Sequence, residues 1–120
     1  MSISERAMAT VAKPLPEREQ PISEQYRLVA KAWADLDGAA RMLEEAKTAT
    51  LSTMMKRLGD VPAAHAERDV KASPEWHDYI KRMVETRTAA NLKKVQLEYI
   101  RMRHSEWVAA DANARAERRL

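Results

Sequence analysis

Apolar side chains recur every three or four residues along two long stretches of this chain, and this spacing predicts two helices. The first predicted helix runs from Ser23, a favourable N-cap residue, to Leu58. The second begins at Ser73-Pro74-Glu75, where Ser73 caps the helix and proline occupies its first position, and is predicted to reach about Ala114. Lys47 interrupts the apolar seam of the first helix, so that helix is predicted to contain a stutter.

One strong helix break separates the two stretches. Gly59 can adopt the positive φ that ends a helix, and Pro62 prevents the helix from continuing. The connector that follows is predicted to hold a short helix from Ala63 to Val70. The predicted fold class is therefore all-α, an antiparallel, coiled-coil-like hairpin of two long helices with a short connecting helix. Residues 22–120 would form this hairpin domain, and residues 1–21, which contain three prolines, a flexible N-terminal arm.

The second helix carries two sets of apolar residues, which predicts packing on more than one neighbour. One set includes Leu92, Val95, Tyr99 and Met102, and the other Leu97, Ile100, Trp107 and Val108. A layer of two helices buries little apolar area per residue, so self-association or a partner is expected. The residues predicted to form the oligomer or partner face are Trp33, Leu36, Leu43, Trp76, Ile80 and Val95.

The composition agrees with long helices and excludes several classes of site. Among 120 residues there are only two glycines, and 32% of the side chains are charged, which is typical of extended helices. The chain has no cysteine, so disulfides and thiolate metal sites are excluded. Neither a secretory signal nor an apolar run long enough to span a membrane is present, which predicts a soluble intracellular protein without a membrane partner.

Candidates for catalysis are lacking. The three histidines, His65, His77 and His104, have none of the spacings that place two nitrogens on one helix face for a metal. The carboxylates are scattered among basic residues at ion-pair spacings, and no glycine-rich phosphate loop or nucleophile motif occurs. We therefore predict no enzymatic activity, no cofactor, no metal and no small-molecule substrate.

A basic segment lies on the second helix. Between residues 81 and 104 there are seven lysines and arginines against two glutamates. Cations beside aromatic side chains are typical of surfaces that contact phosphates and stack on unpaired bases. The predicted nucleic-acid-binding residues are Arg87, Lys93, Lys94, Arg101, Arg103, Tyr99 and Trp107. The same pattern is also typical of a solvated, salt-bridged surface whose aromatic residues are buried between helices.

Several short motifs in the second half of the chain form a family resemblance. They are Ala66-Glu67-Arg68, Ser73-Pro74-Glu75-Trp76, Tyr79, Val84-Glu85, Leu97-Glu98-Tyr99-Ile100-Arg101-Met102, Glu106-Trp107 and Arg115-Ala116-Glu117-Arg118. In residues 60–120 the chain resembles small uncharacterised helical proteins of tailed phages and prophages, whose genes often lie near replication and recombination genes. The resemblance implies a phage-type protein in the cytoplasm of a bacterial host cell. It supplies no catalytic residue.

Together, these observations predict a non-enzymatic, phage-type accessory protein of DNA recombination or replication. It would form a homo-oligomer and bind nucleic acid or a DNA-processing partner. Two alternatives stay open: a helical protein-interaction module, acting as an adaptor or an inhibitor of a host enzyme, and a component of virion assembly. The sequence does not discriminate DNA, RNA and protein as the partner.

Overall fold

A computed structural model describes residues 20–120, and these residues form four helices without a strand. The helices are α1 (Ile22–Glu45), α2 (Lys47–Arg57), α3 (Ala63–Lys71) and α4 (Pro74–Arg119). The all-α prediction is confirmed for this part of the chain. Residues 1–19, which make up most of the predicted N-terminal arm, lie outside the described residues.

The first helix begins one residue before the predicted cap. Pro21 precedes it in an extended conformation, and its carbonyl accepts the backbone amides of Glu24 and Gln25 at 2.9 and 3.0 Å. Proline presets this entry geometry, and the Gln25 side chain donates to the carbonyl of Gln20 at 2.8 Å. The prediction that Ser23 caps the helix is therefore wrong, since Ser23 lies within the first turn.

The predicted helix from Ser23 to Leu58 is also interrupted, at Ala46, where α1 ends and α2 begins. Ala46 keeps a right-handed conformation with φ −80° and ψ −6°, so the chain bends here without reversing. The interruption falls beside Lys47, where the apolar seam breaks in the sequence. Beyond it α2 diverges from α4, and it packs mainly on α3.

The predicted break and the second helix start are confirmed. Gly59 has φ +80°, the one positive φ in residues 20–120. After Pro62, the short connecting helix ends at Lys71, one residue beyond the prediction. The Ser73 hydroxyl accepts the backbone amide of Trp76 at 3.2 Å, which caps α4, and the helix continues to Arg119 rather than to about Ala114.

Two small apolar clusters hold the helices together. In the first, Val29 of α1 packs with Leu97 and Ile100 of α4. In the second, Val70 of α3 packs with Trp76 and Tyr79 at the start of α4. The first cluster takes further cover from partly buried apolar side chains of α1, and the second from such side chains of α1, α2 and α4.

Contacts between α1 and α4 join early residues of one helix to late residues of the other. Tyr26 contacts Arg101, Asp37 contacts Arg87, and the carbonyl of Leu43 accepts the Tyr79 hydroxyl. The molecule measures 82 × 52 × 17 Å, and its radius of gyration is 24.4 Å, against about 13 Å for a compact domain of this length. The helices thus form one thin layer, and no other helix of residues 20–120 covers either of its broad faces.

Candidate interaction surfaces on the long helix

Arg87, the first predicted phosphate contact, instead joins α4 to α1. Its guanidinium donates to both carboxylate oxygens of Glu44, at 2.6 and 3.0 Å, and to Asp37 at 2.7 Å. This bidentate geometry is the strong form of an arginine–carboxylate contact. Two acidic groups therefore neutralise Arg87, and a phosphate would have to compete with both.

The pKa values of the three groups reflect this arrangement. The hydrogen bond from Arg87 lowers the pKa of both Asp37 and Glu44, and hydrogen bonds to Glu44 and then Asp37 raise the pKa of Arg87. A carboxyl whose pKa is depressed by folding stabilises the folded state above its unfolded pKa. This contribution is lost as pH falls through the lower, folded value.

We expect the variant Arg87→Met to be less stable than the parent at neutral pH, and the difference to shrink as the pH falls below the ordinary carboxyl pKa values of 3.8 and 4.5. Protonation of Asp37 and Glu44 removes the contact in the parent, whereas arginine stays charged throughout this range. Urea unfolding between pH 7 and pH 3 would measure the difference. Arg57→Met is the matched control, because Arg57 forms an exposed ion pair with Glu75. If the stability difference between Arg87→Met and the parent were constant with pH, the ion pairs of Arg87 with Asp37 and Glu44 would not stabilise the fold.

The other predicted cations lie on different sides of α4. Lys93 and Lys94 are adjacent and so point about 100° apart around the helix. Lys93 lies in a groove beside Leu28 and Ala32 of α1, whereas the charge of Lys94 acts on Asp37. Arg101 donates to the Tyr26 hydroxyl, with its guanidinium carbon 5.4 Å from the centre of that ring. These cations therefore follow both edges of the α1–α4 contact.

The remaining predicted residues are exposed. Tyr99 and Arg103 form a cation–π contact of 5.8 Å on the side of α4 that faces away from α1. Trp107, 65% exposed, stacks with His104 at 6.3 Å between ring centroids. The structure thus divides the seven predicted residues among an ion-pair cluster, the edges of the α1 contact and open surface.

Most of the predicted partner face lies within the chain. Trp76 is 5% exposed, and Trp33, Leu43 and Ile80 are partly buried against the two clusters. Leu36 is also partly buried, whereas Val95 is open to solvent. Four of these residues, Trp33, Leu43, Trp76 and Ile80, therefore pack within one chain, and Val95 alone of the six lies on open surface.

A different apolar surface is exposed, made of Leu92, Val95, Tyr99 and Met102, which we call the α4 stripe. The four side chains are 65%, 60%, 58% and 61% exposed. They follow one another at intervals of three, four and three residues, so they lie on one side of the helix. The sequence shows both apolar sets on α4, but it does not indicate which set packs on α1.

The first residues of α1 reach His104, where Ile22 and Ser23 line a groove with it, and beyond this point α4 has no other helix beside it in residues 20–120. We call residues 102–119 the α4 arm. Its side chains are exposed except for Asp111 and Ala114, which are half-buried. Four arginines and three carboxylates lie on the arm, and one of these carboxylates, on Asp111, pairs with Arg115 at 2.7 Å.

The three histidines lie in separate local environments. His65 is exposed on α3, the Nε2 atom of His77 lies 3.1 Å from the carbonyl of Lys71 near the end of that helix, and His104 stacks on Trp107. In residues 20–120 no three histidine, aspartate or glutamate side chains are grouped so that they could hold a metal ion.

None of the four helices combines the length and the apolar character that crossing a membrane requires. Comparison of the chain with known protein families, with curated proteins and with solved structures finds no match.

Proposed function

We propose that this chain is a non-enzymatic accessory protein that binds nucleic acid through the α4 arm and the adjoining edge of α4. The observation that carries the proposal is a helical arm that nothing in residues 20–120 covers and that carries four arginines and an exposed tryptophan. In this proposal α1 and α4 form the two rods of an antiparallel hairpin, and the arm projects beyond it. The cation Arg101 lies where the arm joins the hairpin.

The charge pattern along the arm and the adjoining edge of α4 supports contact with phosphates. Lys94, Arg101 and Arg115 occur at multiples of seven residues and therefore lie along one ridge of α4. Arg118 and Arg119 add two exposed cations at the end of the helix. Phosphate contacts of this kind provide affinity without reading the sequence of the nucleic acid.

Trp107 would add contacts that favour unpaired bases. Its ring is largely exposed, and an exposed aromatic face can stack on any base. A duplex keeps its bases stacked on one another and offers no such face. The mechanism thus favours single-stranded nucleic acid, held by arginines along its backbone and by one stacked base.

A titration of fluorescent single-stranded DNA over a series of salt concentrations tests this mechanism. The triple variant Arg115→Gln, Arg118→Gln and Arg119→Gln should bind more weakly, and the slope of log affinity against log salt should fall by about 2. The control is Arg27→Gln, Arg41→Gln and Arg57→Gln, which removes the same charge from three exposed arginines of α1 and α2. Absence of binding at low salt, or equal losses in both triple variants, would refute the nucleic-acid function.

A second candidate function is a protein-interaction module, either an adaptor or an inhibitor of an enzyme. It is favoured by three exposed apolar side chains on the arm, those of Met102, Trp107 and Val108. Tryptophan and arginine are the residues that most often dominate protein interfaces. Binding of a protein partner that is lost in Trp107→Ala and is insensitive to salt would support this candidate over the first.

The phage-type setting belongs to the proposal as well. It rests on the motifs of residues 60–120, and it places the protein in the cytoplasm of an infected or lysogenic bacterial cell, acting in recombination or replication. Recovery of the protein with replicating phage DNA after crosslinking would support this setting. Recovery in purified particles would favour a role in virion assembly.

A further inference from the structure

The α4 stripe is a surface that no helix of the described chain covers. Leu97 and Ile100, which pack on α1, lie on the opposite side of α4 from Val95 and Tyr99, since each residue turns the helix by about 100°. The molecule is one layer of helices 17 Å thick, and the stripe lies on the edge of that layer. Within residues 20–120 these side chains therefore have no cover, and the stripe is open to a partner.

The spacing of the stripe matches the seam of a coiled coil. Leu92 and Tyr99 take the first position of successive heptads, and Val95 and Met102 take the fourth. The apolar pattern ends at Glu106, because this charged residue takes the first position of the following heptad. A partner helix would thus meet the stripe over two heptads.

We propose that the occupant of the α4 stripe is a second copy of this chain, paired through α4 in a parallel, in-register arrangement. In a parallel coiled coil, the residue just before the first position of a heptad lies beside the seam. It faces the residue five positions later on the other copy. Glu98 and Arg103 have this relationship, so a dimer contains two Glu98–Arg103 ion pairs. Both residues are exposed in the single chain, which leaves them accessible to the second copy.

The antiparallel alternative fits less well. Overlapping the stripes of two antiparallel copies brings Leu92 of one against Met102 of the other and sets the two Glu98 carboxylates beside each other. Like charges in this position oppose association and help to determine the orientation of coiled coils. The charges that flank the stripe therefore favour parallel pairing.

The exposed area suits a reversible dimer. Together with the neighbouring Val84, which is 53% exposed, the stripe presents on the order of 500 Å² of side-chain surface per chain. A standard interface buries about 800 Å² per partner, a value that the stripe approaches once its polar flanks are included. We therefore expect monomer and dimer to exchange at micromolar concentration.

Sedimentation equilibrium of the full chain, without nucleic acid, tests for the dimer. The parent should associate, and the double variant Leu92→Ser and Val95→Ser should be monomeric with unchanged far-ultraviolet circular dichroism, because both side chains are exposed in the monomer. The control is Leu28→Ser and Met42→Ser, which removes exposed apolar residues of α1 and should leave association intact. A parent chain that remains monomeric throughout the micromolar range would overturn the proposal.

Two further measurements test the orientation. Since the chain has no cysteine, Met102→Cys introduces a single thiol into the seam. In the parallel dimer, mild oxidation should link two copies of this variant, because the two thiols face each other. Linkage only in a mixture of Met102→Cys with Leu92→Cys would instead demonstrate the antiparallel pair and overturn the parallel arrangement.

A charge exchange provides the second measurement. Glu98→Arg and Arg103→Glu should each weaken self-association, and a mixture of the two variants should form a heterodimer whose flanking pairs are both attractive. A mixture that associates no better than either variant alone would contradict the Glu98–Arg103 pairing. Because these measurements contain no nucleic acid, their outcome is independent of the function proposed for the arm.

Discussion

The variant Trp76→Ala is expected to lose about 3–5 kcal/mol of the free energy of unfolding. Trp76 is 5% exposed, and its ring stacks on Tyr79 at 5.6 Å between centroids. Its cluster joins α3 to the start of α4 and takes cover from partly buried residues of α1 and α2, including Leu43 and Met54. Removing the indole leaves a cavity that four separate helices would have to fill. Urea denaturation followed by circular dichroism would measure the loss.

Trp107→Ala is the matched control for this experiment. Trp107 lies on the same helix, but its side chain is 65% exposed, so its removal should change stability by no more than about 0.5 kcal/mol. The parent and each variant should be compared at one protein concentration, because dimer formation would add to the apparent stability. Equal losses in the two variants would contradict the burial of Trp76.

The second large effect is expected at Ala40, where a larger side chain should destabilise the contact between α1 and α4. Ala40 and Ala90 expose no surface in the folded chain. Asp37 and Glu44, three residues before and four after Ala40, both reach Arg87 on α4, so Ala40 lies on the side of α1 that faces α4. A leucine at position 40 would force the helices apart, and we expect Ala40→Leu to cost about 1–3 kcal/mol.

Ala39→Leu provides a control with the same substitution on the same helix. Ala39 is exposed, so this variant should keep the stability of the parent to within about 0.5 kcal/mol. The change in helix propensity is the same in both variants, so a difference between their thermal unfolding midpoints would report the effect of burial alone. A midpoint for Ala40→Leu equal to that of Ala39→Leu would show that the helices do not approach closely at this point.

The features that the sequence predicts correctly are determined locally. Gly59 ends a helix because its own backbone permits positive φ, and Ser73 caps α4 through an amide three residues away. The short helix α3 follows from the residues between Pro62 and Lys71. Each of these signals lies within a few positions of the structure it determines.

The features that are not predicted from the sequence depend on contacts between residues far apart in the chain. Ala46 interrupts the first helix in a right-handed conformation, and the only signal in the sequence is the weak seam beside it. Arg87 follows the spacing of a phosphate-binding ridge, yet its carboxylate partners are 43 and 50 residues away. The choice between the two apolar sets of α4 depends on which one meets α1, and the spacing is the same for both.

The length of α4 sets a fixed distance within the molecule. After Pro74, its first residue, the helix contains no glycine or proline, so it has no preferred site for a bend. The 18 residues of the arm span about 27 Å. A ligand bound at the tip would therefore be held away from the clusters that stabilise the chain, as at the end of a spacer. Shortening the arm by whole turns would move the ligand closer in steps of about 5.4 Å while leaving both clusters intact.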